Sequence, residues 1–97
     1  MEVQLTSDEA VAGASWVKRF LKSEMALKGL SYAGLALKLA EIGVVDDEHN
    51  LRNKINRGTF SAYFLLQCMN AMGESTIRVP SWEKFLLDFE RKPRGKS

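Results

Sequence analysis

Cysteine, histidine and proline are scarce in this chain. Its 97 residues contain one cysteine (Cys68), one histidine (His49) and two prolines. A single cysteine excludes an intrachain disulfide framework, so nothing in the sequence requires an oxidising compartment. Few prolines and the lack of a long β-branched run favour helices over strands. We therefore predict an all-α domain.

Long apolar segments are also missing. No run approaches the roughly 20 apolar residues that a membrane-spanning helix needs. The N-terminal residues lack the basic and then apolar stretches of a signal peptide. We expect a cytoplasmic protein without a membrane partner. The formal net charge of +2 is weak, and by itself it indicates no nucleic-acid partner.

Residues suited to catalysis or metal binding are few. His49 lies beside Asp46, Asp47 and Glu48 in the sequence. No nucleophile, metal-ligand spacing or glycine-rich phosphate loop accompanies this cluster. Cys68 has no second ligand or activating base spaced near it, so we expect it to be a small buried apolar group. We predict no enzyme activity, no cofactor and no bound metal.

Apolar residues recur at helical spacing through most of the chain. The pattern predicts a compact bundle of about five helices in a single domain, residues 14–91. Residues 1–13 form an N-terminal segment. The sequence does not decide whether residues 7–12 within it form a helical turn. Residues 92–97 are predicted to be a basic, disordered tail. Helix N-caps are expected at Ser31, Asp46 or Asp47, Ser61 and Ser81, and glycine stops at Gly29, Gly43, Gly58 and Gly73.

The third predicted helix, residues 48–57, carries the clearest functional pattern, EHNLRNKINR. Leu51 and Ile55 lie four residues apart, so they share one helix face and should contact the core. The opposite face is polar and has no carboxylate at its centre. Its candidate base-contacting residues are His49, Asn50, Asn53, Lys54, Asn56 and Arg57. Candidate contacts to DNA phosphates are Lys38, Arg52, Thr59 and Tyr63.

Residues 30–73 resemble the lambda-repressor and Cro type of helix-turn-helix domain. The matching pattern runs Leu30-Ser31, Leu35-Ala36, Leu39, Ile55-Asn56-Arg57-Gly58, Ser61, and Ala71-Met72-Gly73. Residues 51–62 are also similar to a small bacterial family recorded only as a domain of unknown function. The first resemblance implies a five-helix domain with a helix-turn-helix core, in which the third helix recognises DNA.

Three features depart from the lambda-repressor pattern. Tyr32 and Ala33 stand where Gln usually opens the second helix, and Met25 and Asn56 stand where an Arg–Glu pair is usual. The turn before the third helix is longer by roughly three residues, which alters how that helix would meet a groove. Acidic residues at the start of the third helix would meet DNA phosphates, unless they only cap the helix.

Two functional hypotheses follow from these patterns. The first is sequence-specific or general binding of double-stranded DNA through residues 48–57, in a small bacterial transcriptional regulator. The alternative is a non-catalytic protein–protein interaction module, in which exposed Tyr63, Phe64, Leu87 or the apolar side of the last helix binds a partner or a second copy. That last-helix stripe either docks on the domain's own core or forms a homodimer interface. Its residues are Trp82, Phe85, Leu86 and Phe89.

Overall fold

The computed structural model describes residues 7–90, with their side chains except those of residues 7–12, 86 and 88–90. It consists of five helices: α1 (Ser7–Leu27), α2 (Tyr32–Glu41), α3 (Glu48–Arg57), α4 (Ala62–Ala71) and α5 (Trp82–Glu90). The predicted all-α fold class with about five helices is confirmed. The tail predicted for residues 92–97 lies outside the described residues, as do residues 1–6.

Four helices begin at polar residues that cap them as expected. In each case the side chain accepts a hydrogen bond from the backbone N–H three residues later, which satisfies one of the donors that a helix start leaves unpaired. The distances are 3.0 Å at Ser31, 2.8 Å at Asp47, 3.0 Å at Ser61 and 3.1 Å at Ser81. Of the two aspartates that were candidates for the α3 cap, the structure assigns the role to Asp47.

The first helix starts before residue 14, the predicted beginning of the domain, and includes residues 7–12, for which the sequence left a helical turn undecided. α1 begins at Ser7 and passes through Gly13, giving a helix of 21 residues. A glycine inside a helix costs about 1 kcal/mol relative to alanine. Once a helix exists, however, each further residue adds a hydrogen bond without a new nucleation step. Leu21 and Met25 fix α1 on the core, so the helix extends through one unfavourable residue.

The core is formed by α1 to α4. α2 packs against α3 and α4, while α1 packs against α3. The buried apolar residues are Leu21, Met25, Leu35, Leu39, Leu51, Ile55, Phe64, Cys68, Met69 and Met72. Cys68 is fully buried, as expected, and burial raises the pKa of its thiol to about 12.

Phe64 and Leu66 lie on opposite sides of α4. Phe64 is only 6% exposed, so the hypothesis that it forms part of a docking surface is wrong. Phe60 packs on its ring at 5.3 Å between centroids, and the ammonium group of Lys54 lies 5.0 Å from the ring centre. Leu66 is 51% exposed, because it lies on the side of α4 opposite Cys68.

α5 joins the domain through aromatic side chains. Phe85 contacts Trp16 of α1 edge-on at 6.4 Å, and Trp16 stacks on Phe20 at 5.5 Å. Trp82 stacks on Phe85 at 5.1 Å but remains 64% exposed. Phe85 therefore docks on the domain itself, whereas Trp82 faces solvent. The side chains of Leu86 and Phe89, the other two residues of the predicted stripe, lie outside the described part.

Candidate nucleic-acid interface

Two features fix the position of α3 in the domain: its apolar side, which packs in the core, and the glycine that follows its C-terminal end. Leu51 and Ile55 are both fully buried, as the spacing predicted. Gly58 ends the helix in the left-handed conformation, with φ of 68°. A Cβ atom at this position would lie 2.1 Å from the carbonyl oxygen of Ala14. Only glycine allows the end of α3 to approach the α1 backbone this closely, and this approach orients the opposite side of α3 toward solvent.

The outward side of α3 carries uncharged polar groups and one arginine. His49, Asn50, Asn53, Asn56 and Arg57 are all exposed. The amide nitrogen of Asn53 lies 3.3 Å from Nε2 of His49, so these two side chains support each other one helical turn apart. Arg57 has no ion-pair partner among the residues that the structure describes. Five of the six predicted base-contacting residues thus share one accessible surface, which we call the α3 face.

One flank of the α3 face is occupied by Arg52. Its guanidinium donates a hydrogen bond to the Glu48 carboxylate at 2.9 Å, one turn earlier on the same helix. The guanidinium carbon also lies 5.3 Å from the centre of the Tyr32 ring, a distance at which a cation is attracted to an aromatic face. Arg52 was predicted to contact a DNA phosphate. To do so, its guanidinium would have to leave the Glu48 carboxylate and bind the phosphate instead.

Lys54 forms the other flank and is turned toward the core. Its ammonium donates to the Asp46 carboxylate at 2.9 Å and lies over the ring of Phe64. Partial burial of Asp46 favours the neutral acid. The hydrogen bond and charge of Lys54, together with hydrogen bonds from the Asn50 side chain and the Asp47 backbone, outweigh this effect, so the pKa of Asp46 is lowered. Lys54 was predicted to contact bases, yet it lies apart from the α3 face and would have to leave Asp46 to reach one.

The three acids at the start of α3 all have partners within the chain. Asp46 pairs with Lys54, Asp47 caps the helix, and Glu48 pairs with Arg52. Glu48 is thus neutralised on one flank, whereas the charge of Asp46 is stabilised both by Lys54 on the other flank and by the side chain of Asn50, a member of the α3 face. Sequence reasoning missed the pair between Asp46 and Lys54, because a separation of eight residues brings two side chains together only when the chain turns between them.

The remaining predicted phosphate contacts lie on two other elements. Lys38, in the last turn of α2, is 3.9 Å from the carboxylate of Glu41. Thr59 is exposed between α3 and α4, and Tyr63 is 70% exposed in the first turn of α4. Thr59 and Tyr63 therefore follow the Arg57 end of α3 in the chain and are accessible to a ligand.

The model of a family described as a domain of unknown function, DUF6471, matches residues 14–77. The chain belongs to this family. The predicted similarity to a family recorded as a domain of unknown function is thus confirmed. No curated protein and no solved structure matches the chain. The DUF6471 span contains α2, α3, α4 and most of α1, and therefore the whole α3 face, but it ends before α5.

The described part of this DUF6471 protein has no candidate for two other kinds of site. No three His, Cys, Asp or Glu side chains in it lie close enough together to hold a metal ion. None of its helices has the length and apolar character needed to cross a membrane.

A cleft of about 340 Å³ adjoins the α3 face on its Arg52 side. The start of α2, the second half of α1 and the first turns of α3 form its walls, and Lys22, Tyr32 and Arg52 are among its lining residues. The Tyr32 hydroxyl is buried and makes no hydrogen bond within the described residues. Sequence reasoning missed this cleft, since its walls come from three helices whose packing no local pattern specifies.

Proposed function

We propose that this domain binds double-stranded DNA through the α3 face and that it has no catalytic activity. The observation that carries the proposal is the composition of that face. Exposed Asn53, Asn56 and Arg57 share it, and no carboxylate lies among them. Asn side chains pair with the N6 and N7 positions of adenine, and Arg pairs with O6 and N7 of guanine, in the major groove.

A helix-turn-helix formed by α2 and α3 is part of the proposal. The resemblance of residues 30–73 to the lambda-repressor type supports it, together with the packing of α2 on α3 and α4. The connecting turn comprises residues 42–47 and starts with a hydrogen bond from the Val44 N–H to the Leu39 carbonyl at 2.9 Å. On this basis the protein is a small bacterial transcriptional regulator that acts in the cytoplasm.

Charge around α3 determines what kind of DNA binding to expect. The cations Arg52, Lys54 and Arg57 are balanced by Asp46, Asp47 and Glu48. Non-specific affinity for DNA comes from cations that neutralise phosphates and release counterions. A balanced segment gains little from this effect, so the proposed binding relies on base contacts. We expect weak affinity for random DNA and a shallow dependence on salt, equivalent to roughly one to three phosphates.

The test is an amide chemical-shift titration of the isotope-labelled protein with duplex DNA at two salt concentrations. The expected result is shifts concentrated in residues 49–58 that diminish at the higher salt concentration. Binding constants for Asn53→Ala and Arg57→Gln are then compared with those for Arg78→Gln. Arg78 is an exposed arginine in the connector before α5, so it controls for the loss of one positive charge.

Loss of one bidentate base contact costs about 1–3 kcal/mol, or roughly 5- to 150-fold in affinity. Such a loss is expected for Asn53→Ala and Arg57→Gln on the preferred sequence, and at most about a twofold loss for Arg78→Gln. Equal effects of Arg57→Gln and Arg78→Gln would exclude the α3 face as the DNA-binding surface. Shifts confined to α5 would exclude it as well.

A protein–protein interaction module remains the second proposal, and α5 provides its basis. Trp82 is 64% exposed, and exposed tryptophans are enriched at interfaces. The family span of residues 14–77 ends before this helix. This proposal predicts a mass that rises with protein concentration in sedimentation equilibrium, and loss of that rise in Trp82→Ser. A constant monomer mass would argue against a homodimer through α5.

A further inference from the structure

We propose that the cleft beside Arg52 binds a small amphipathic monoanion, a molecule with one carboxylate and a compact apolar body. The cleft measures about 340 Å³, which is near the lower end of the range for small-molecule sites in proteins. It is formed by packed helices, and Met25 in its wall also belongs to the buried core. Its shape therefore follows from the fold and does not require a ligand to create it.

Part of the cleft lining is apolar. Met25, Ala26 and Leu30 form this part together with Tyr32, whose ring lies beneath the guanidinium of Arg52. A hydrocarbon or aromatic group placed here would leave water and contact thioether, methyl and aromatic surface. An inorganic anion would gain nothing from this surface. The apolar part of the lining therefore selects a ligand that has an apolar body.

The charges around the cleft leave one positive charge uncompensated. Lys22, Arg52 and Glu48 line it. Glu48 pairs with Arg52 at 2.9 Å, whereas Lys22 is exposed and has no ion-pair partner among the described residues. The start of α2 at Tyr32 adds the positive end of a helix dipole. A ligand with one carboxylate neutralises the uncompensated positive charge. The second negative charge of a dianion would have to compete with Glu48 for Arg52.

The Tyr32 hydroxyl is an independent reason to expect an acceptor at this place. It is buried and makes no hydrogen bond within the described part of the chain. Buried polar groups are nearly always hydrogen-bonded, and an exception calls for an explanation. The residue that carries this donor also lines the cleft. Because the hydroxyl has no exposed surface, a carboxylate in the cleft accepts its hydrogen bond only after the side chains that cover it move aside.

This proposal does not depend on DNA binding, because its test uses only the protein and small molecules. Three probes separate the contributions: phenylacetate has both the charge and the apolar body, acetate has only the charge, and benzyl alcohol has only the body. Each is titrated into labelled protein, and the amide resonances of residues 22–32 and 48–52 are followed together with the side-chain N–H resonance of Arg52. We expect phenylacetate to bind saturably and at least about tenfold more tightly than either control.

Matched variants locate the site. Lys22→Gln and Lys38→Gln each remove one exposed helical lysine, but only Lys22 lines the cleft. We expect Lys22→Gln to weaken phenylacetate binding about threefold to tenfold, and Lys38→Gln to leave it unchanged within about twofold. Tyr32→Phe removes the hydroxyl and retains the ring. It should weaken the binding of phenylacetate, whose carboxylate is the stronger hydrogen-bond acceptor, more than that of benzyl alcohol.

Several results would overturn the proposal. If acetate bound as tightly as phenylacetate, charge alone would account for the binding. If benzyl alcohol bound as tightly, apolar contact alone would account for it. If Lys22→Gln and Lys38→Gln changed the affinity for phenylacetate equally, the binding site would lie outside the cleft. A DNA duplex that shifts these resonances while phenylacetate does not would assign the cleft to the DNA backbone.

Discussion

Gly58→Ala tests how α3 is fixed in the domain. At this residue the backbone has φ of 68°, and an added Cβ would lie 2.1 Å from the carbonyl oxygen and 2.8 Å from the carbonyl carbon of Ala14. These are backbone atoms, so no side-chain rotation relieves the overlap. Normal contact requires α1 and α3 to separate by about 1 Å at this point. The substitution therefore strains both the residue and the packing of two helices.

Gly29→Ala is the matched control. Gly29 has φ of 69°, but a Cβ added there meets nothing within 4 Å. In this variant the left-handed conformation alone lowers the free energy of unfolding, by about 1–2 kcal/mol. Part of this loss is offset because alanine restricts the unfolded chain more than glycine does. Gly58→Ala adds the cost of overpacking, about 1–3 kcal/mol or more. We expect a loss of about 1 kcal/mol for Gly29→Ala and about 3–5 kcal/mol for Gly58→Ala.

Urea denaturation followed by circular dichroism at a helix-sensitive wavelength measures both losses. A domain of this size has a total stability of about 5–15 kcal/mol, so Gly29→Ala leaves a measurable transition throughout this range. Gly58→Ala leaves one when the parent stability lies above the lower end of the range, and a Gly58→Ala variant that fails to fold while Gly29→Ala folds agrees with the larger loss. Losses that agree within about 0.5 kcal/mol would refute the reasoning, because the contact with Ala14 would then have no energetic consequence. The result also bears on function, since this contact holds the Arg57 end of α3 against α1.

Three further predictions concern single side chains. Asp46→Asn removes the partner of Lys54 and should lower the unfolding free energy by about 0.5–1 kcal/mol at neutral pH. Because folding lowers the pKa of Asp46 below its ordinary value, this difference is complete above that ordinary value and disappears as the pH falls through the lowered pKa. An unchanged difference in acid would contradict the prediction. Cys68 should react with a thiol reagent only as fast as the domain opens, since burial raises its pKa to about 12, and rapid labelling of folded protein would argue against this packing. Glu48→Gln should free Arg52 for phosphates, raising affinity for random DNA and its dependence on salt; an unchanged salt slope would show that Arg52 makes no phosphate contact.

The charge pairs beside α3 explain how acids and a candidate DNA-binding surface coexist. Asp46 and Glu48 each face a cation on a flank of the helix, at 2.9 Å in both cases. The α3 face itself keeps Arg57 without an intrachain partner in the described structure. A face of this kind gains little from long-range attraction, so it would discriminate among sequences mainly through the geometry of its Asn and Arg side chains.

Sequence reasoning identified most of the candidate face because its basis is local. The positions of Leu51 and Ile55 define the buried side of α3, and helical geometry then places Asn53 and Arg57 on the other side. Lys54 was assigned to the face for the same reason. Its actual position depends on Asp46 and Phe64, which come from a turn and from another helix. A local pattern cannot specify such contacts.

By itself, the sequence determined the number of helices, most of their boundaries and the buried side of α3. Capping by Ser31, Asp47 and Ser61, and left-handed stops such as Gly58, act within a few residues, so these features can be recognised from spacing alone. Tertiary structure decided the rest: the approach of Gly58 to Ala14, the pairing of Lys54 and the cleft beside Arg52. Each depends on the relative placement of different segments, which is set by packing of the whole core.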